Sequence, residues 1–136
     1  MADTLRLEIV TPTGVAYSQD VEMVTLDGSE GQMGILPRHS RLMTQLVPGE
    51  IIVVKGGRES YLAVGEGLVV VTADRVAIVT DMAVAAESID EAKAEEARQR
   101  AAARLREKIS DEEVASVNAS LARSLAQLKV KRRHHR

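Results

Sequence analysis

Aromatic side chains are almost missing from this 136-residue sequence: Tyr17 and Tyr61 stand alone, with no Phe and no Trp. A nucleic-acid reader that stacks bases depends on aromatic platforms, so stacking recognition is disfavoured. The core has to be aliphatic. Cysteine is missing altogether, which removes disulfides, thiolate catalysis and Cys-ligated zinc. The opening "MADTLRLEIV" has no charged segment followed by a long apolar run, so no secretory signal is expected. Apolar runs such as Leu68 to Val71 fall far short of the roughly 20 residues of a membrane span. The expectation is a soluble protein that meets a membrane only through a partner. Glycine and proline are missing from the last third: all nine Gly and all three Pro lie at or before Gly67.

What is present divides into two unlike halves. Hydrophobic content of 45% is enough for a real core, and the length allows one domain plus an appendage. Residues 1–87 carry 6 basic and 12 acidic side chains, net -6, whereas residues 88–136 carry 12 basic and 8 acidic, net +4. Composition, chain breakers and charge all change near Glu87, which places a boundary there.

Residues 1–87 read as strands. In "LRLEIV" the apolar Leu5, Leu7 and Ile9 alternate with Arg6 and Glu8, the pattern of a half-buried strand. "TPTG" turns the chain, and "VEMVTL" and "IIVV" follow. "KGGR" forms a Gly-Gly hairpin between Ile51–Val54 and Ser60–Val64. After "GEG" come "LVVVT", a turn at Ala73 to Arg75, and "VAIVT". Short β-branched strands with frequent turns predict an antiparallel β-sandwich or flattened barrel.

Residues 88–136 read as two helices, giving an α+β fold with a C-terminal helical hairpin. "SIDE" offers Ser88 as N-cap with Glu91 as its reciprocal partner, and "SDEE" offers Ser110 with Glu113. The helices then run from about Asp90 to Lys108 and from about Asp111 to Lys131. The expected inner stripes are Ala94, Ala97, Ala101 and Leu105 on the first, and Val114, Val117, Leu121, Leu125 and Leu128 on the second. Alanine buries little area, so the hairpin should be strongly helical but weakly docked, and able to detach.

Sites of chemistry are sparse. His134 and His135 sit in the basic tail, and His39 stands alone in "LPRHSRL". No H-x-x-x-H pair, D-x-D loop or G-x-S-x-G elbow occurs, so neither a catalytic nor a metal site is expected. "GSEGQMG" (Gly28 to Gly34) lacks the Lys of a phosphate-binding loop and reads as a loop leading into a strand, suited to docking. The last 23 residues hold six Lys or Arg and no acid. They read as a solvated tail, as a binder of nucleic acid or anionic lipid, or as an arm for a protein groove with an acidic rim. The acidic first half argues against the whole chain being a nucleic-acid binder.

These stretches together resemble the epsilon subunit family of the rotary F-type ATP synthase (delta in mitochondria). The resemblance is carried by "LRLEIVTPTG", "GSEGQMGILPRHSRLMTQLVPG", "SIDEAKAEEARQRA" and "LARSLAQLKV". It implies a non-catalytic subunit whose β-sandwich docks on the gamma subunit and the membrane ring of c subunits, at Glu30, Gln32, Met33, Arg38 and His39. Gln32 stands where some relatives carry an acid. It implies a hairpin that folds against the sandwich or extends along gamma. Extended, its basic helix meets an acidic segment of a catalytic beta subunit, beside alpha, and blocks ATP hydrolysis; Arg123, Lys129, Lys131, Arg132 and Arg133 are the candidate residues. As one helix, residues 89–133 would reach roughly 65 Å at 1.5 Å per residue. Some relatives bind ATP through an Ile/Leu-Asp-x-x-Arg-Ala motif; here Ile89, Asp90 and Lys93 match it with Lys in place of Arg, and Arg100 and Arg123 could assist. A point-charge Lys lacks the bidentate fork of Arg, so no cofactor is expected, and any ATP binding on the hairpin would be weak. The implied location is the cytoplasmic face of an energy-transducing bacterial membrane. The alternative is a free-standing β-sandwich binding module whose basic arm binds anionic polymers or nucleotide.

Overall fold

The structure, a computed structural model, describes residues 3–134; the tail residues His135 and Arg136 lie outside the described residues. Ten strands come first: β1 (Leu5–Thr11), β2 (Gly14–Val21), β3 (Met23–Gly28), β4 (Gly31–Ile35), β5 (Leu42–Leu46), β6 (Gly49–Lys55), β7 (Arg58–Val64), β8 (Gly67–Val71), β9 (Arg75–Thr80) and β10 (Ala83–Ala85). A single 3-10 turn (Ala86–Ser88) leads to α1 (Glu91–Leu105) and α2 (Asp111–Arg133).

The strands follow the order β10-β7-β6-β3-β5-β8-β9-β1-β2, with β4 on β3. Every pairing is antiparallel except β1 beside β9. The two halves of this path are joined at β3–β5 by the lone pairing of Gly28 with Leu46. They fold over one another around an aliphatic core that includes Leu7, Ile9, Val24, Leu26, Ile51, Val53, Val69 and Ile78. Alternate residues supply it, as the period of a strand requires. Lys55 at the end of β6 meets Gln19 on the edge strand β2 through its side chain, so the sandwich is nearly a closed barrel.

Four strands had no sequence reading. β2 is exposed along nearly its whole length, so it shows no apolar alternation. β4 is rich in Gly, β5 is only weakly amphipathic and β10 has three residues. "GSEGQMG" is not a loop leading into one strand but a hairpin: β3 and β4 pair from Gly28–Gly31 to Val24–Ile35 around Ser29–Glu30. The "KGGR" hairpin forms as expected, with Gly56 and Gly57 at φ 60° and 74°, the conformation that a two-residue turn of this hand demands.

The α1 cap differs from the expectation. Asp90, not Ser88, is the N-cap: its carboxylate accepts the Lys93 N–H at 3.1 Å, while Ser88 ends the 3-10 turn. The extra turn shifts the helix start, and α1 ends at Leu105 rather than near Lys108. Ser110 caps α2 as expected, accepting from the Glu113 N–H at 3.2 Å.

Candidate functional site: an arm latched to a body

The arm meets the body chiefly through α2, and α1 packs on α2. The C-terminal half of α2 crosses the outer face of β6 and β7. Val130 is fully buried there against Ala63, Ala86 and Ile89, with Tyr61, Met82 and Val84 packed round the rim. This two-sided setting changes the expected stripe. Ser124, Ala126, Leu128 and Val130 are the buried residues of α2, whereas Leu125 is 48% exposed. On α1, Ala94 and Ala101 are buried as expected. The apolar contact with the body is small, so the dock rests heavily on polar links.

Those links run along the C-terminal half of α2. Arg123 pairs with Asp81 at 2.9 Å. Gln127 donates to the Met82 sulfur, and Lys131 Nζ donates to the Ala86 carbonyl at 3.3 Å. Arg132 reaches back to Glu91 (3.3 Å) and Glu95 (3.6 Å) on α1. Arg133 pairs with Glu50 at 3.2 Å, and His134 Nε2 lies against the other Glu50 oxygen. The His134 ring stacks on Tyr61, centroids 3.5 Å apart. Burial and the nearby Glu59 push the Tyr61 hydroxyl above its usual pKa of 10.0. On α1, hydrogen bonds from Arg98 hold the Glu95 carboxyl down at about 2. Of the five expected arm residues, Arg123, Lys131, Arg132 and Arg133 therefore all face partners within the chain, and Lys129 is exposed.

The expected docking residues separate into two groups. Glu30 occupies the β3–β4 turn at one end of the sandwich, and Arg38 and His39 lie beyond the other end of β4, which at 3.3 Å per residue spans about 17 Å. Gln32 is exposed between them and Met33 is half-buried against the core. Arg38 has φ 64° in the turn closed by the His39 N–H on the Leu36 carbonyl, a left-handed conformation that costs a residue bearing a Cβ roughly 1–2 kcal/mol. Its amide donates to Ala73 and its guanidinium pairs with Asp3 at 2.7 Å.

A surface the sequence reading missed lies on the outer face of β8, β9, β1 and β2. Leu68, Val79, Val10 and Val15 are paired in one row across the strands. Leu68, Val79 and Val15 are among the exposed large apolar residues, and Met43 on β5 extends the patch. An apolar row this continuous marks an interaction face. Its signal was present as the off-phase apolar residues of strands already filled on the other face.

The expected nucleotide residues do not surround one cavity. Ile89 is buried under Val130, Asp90 is spent as a cap, and Lys93 is exposed on the first turn of α1. Arg100 lies beside Ser116 and Ser120 of α2, while Arg123 faces Asp81 on the body. Among the described residues no group of three His, Asp or Glu side chains is placed to hold a metal, and no helix is long and apolar enough to cross a membrane.

The fold and these contacts define a class: a β-sandwich with an apolar docking face, carrying a basic helical arm held by a small apolar cluster and ion pairs. The family model for the ATP synthase delta/epsilon chain β-sandwich domain matches residues 4–86, and that for its long α-helix domain matches residues 87–132. The chain is 41% identical over 126 residues to the ATP synthase epsilon chain of Herpetosiphon aurantiacus, covering 93% of both. It is 42% identical over 130 residues to that of Chloroflexus aggregans, covering 96% of this chain and 94% of the relative. A chain of the Euglena gracilis mitochondrial ATP synthase F1/c-ring structure superposes with a TM-score of 0.74 at 25% identity, over 93% of this chain and 79% of the other. The chain belongs to the ATP synthase delta/epsilon family, the epsilon subunits of the F-type central stalk.

Proposed function

We propose that this subunit is non-catalytic, helps couple rotation of the c-ring to ATP synthesis, and restrains ATP hydrolysis with its helical arm. The apolar row Leu68, Val79, Val10 and Val15 suits docking on the gamma subunit, and the turn holding Glu30 and Gln32 suits the c-ring. The complex then sits peripherally on the cytoplasmic side of the membrane. The single observation that carries the inhibitory role is the attachment of the arm: one small apolar contact plus ion pairs, each link able to be exchanged for an acidic surface elsewhere. Released, α2 presents Arg123, Lys129, Lys131, Arg132 and Arg133 to an acidic segment of a beta subunit, beside alpha. A weak ATP site at Ile89, Asp90, Lys93, Arg100 and Arg123 requires these side chains to regroup.

Deleting residues 88–136 tests the role. The truncated complex should hydrolyse ATP faster while gamma still co-purifies with the sandwich; an unchanged rate refutes the brake. Charge reversal of the five basic residues to Glu should weaken inhibition more than Ala substitution, because like charges would then face the acidic partner.

A further inference from the structure

We propose that Glu50 is an internal stand-in for the arm's acidic partner, so that docking and capture compete for the same end of α2. This rests on the reading of the arm as a brake, but its own test needs no partner. Glu50 lies on the outer face of β6, opposite Ala63 of β7, where α2 crosses the sheet. Its side chain is 5% exposed in the docked state, against 30% for Asp81, the other carboxylate of the body paired with α2. A carboxylate is costly to take out of water unless close partners offset the loss of hydration. Both partners here, Arg133 and His134, come from the last turn of α2, over 80 positions along the chain.

The consequence is conditional docking. With the arm away, Glu50 opens to water and its burial costs nothing. With the arm docked and its tip engaged, the cost is offset. With the arm docked but Arg133 and His134 drawn to another anion, the carboxylate is buried without its partners, and the whole of α2 is driven off. Docking also covers the brake's own cations: Arg123, Arg132 and Arg133 are each paired with a carboxylate of the same chain. Glu50 differs from Asp81 and Glu91 because it alone is deeply covered, so capture of the tip is converted into release.

The absence of cysteine makes the test direct. Cysteines placed at the exposed Arg58 and Ala115 carry spin labels on the full-length chain, and pulsed electron paramagnetic resonance reads their separation. The parent should give one narrow distance. Stopping the chain after Arg132, or Arg133→Ala with His134→Ala at full length, should lower the docked fraction at least tenfold and broaden the distribution. Adding Glu50→Gln to either variant should restore the narrow distance, because a neutral amide is far cheaper to bury. Glu50→Gln alone should leave the arm docked. If both tip variants stay docked, if Glu50→Gln fails to rescue them, or if Glu50→Gln alone releases the arm, the proposal is overturned. Such a failure leaves the brake intact, whereas unchanged hydrolysis on arm deletion removes the brake and leaves the latch.

Discussion

Val130→Ala separates the stability of the arm from that of the body. Val130 is fully buried, and its neighbours Ala63, Ala86 and Ile89 are too small or too fixed to fill the space it would leave. The substitution removes two methyl groups, about 1.6 kcal/mol at roughly 0.8 kcal/mol per buried carbon, and the cavity left behind brings the loss to about 2 kcal/mol. That is a shift of about 30-fold in the docked-to-released ratio. The sandwich core shares none of these residues. Melting of the sandwich should therefore hardly move, while the spin-label distance across Arg58 and Ala115 broadens. Ile78→Ala, in the core proper, should do the reverse and cost about 2–5 kcal/mol of global stability. If Val130→Ala lowers the melting temperature of the sandwich as much as Ile78→Ala does, arm and body unfold as one unit and the separable arm is wrong.

Two further outcomes follow from the geometry. The Glu95 carboxyl is held at about 2, below its ordinary 4.5, chiefly by hydrogen bonds from Arg98. A depressed carboxyl contributes stability that is complete above its unfolded value and disappears as acid reaches the folded one. Amide-exchange protection of α1 should thus fall from about pH 4.5 towards pH 2, and Glu95→Gln should flatten that profile; an identical profile would refute the assignment. Gly67→Ala should strongly destabilise the sandwich, since its Cβ would lie 2.0 Å from the Val79 carbonyl oxygen and 2.9 Å from the Thr80 Cα, both backbone; a melting temperature within about 2 °C of the parent would show that β8 and β9 can slide apart.

The legible parts of the fold were those in which one residue's partner is its near neighbour in the chain. The "KGGR" turn, the alternation of Leu5, Leu7 and Ile9, and the Ser110 cap all depend on local geometry. The illegible parts depend on distant surfaces. Leu125 belongs to a good helical stripe, yet α2 is gripped from two sides, so smaller residues such as Ser124 and Ala126 are buried instead. Ser88 and Asp90 are both good caps, and only the 3-10 turn selects the second. Glu50 gave no signal: in "PGEIIVV" it is an ordinary outward-facing acid until a helix arrives over it. The basic residues of the arm were visible as a charge run, but their intramolecular partners Asp81, Glu91 and Glu50 were not, because pairing across about 40 to 80 positions leaves no local pattern.

The parallel alignment of β1 with β9 has a consequence for the order of assembly. The first strand to be synthesised waits for one of the last in the sandwich, and ladders joining distant segments are slow to form. The body cannot close until residue 80 or so has been made, and the arm follows it. Each new molecule therefore completes its socket before the plug that fits it, and the tip that engages Glu50 emerges only after Glu50 is in place.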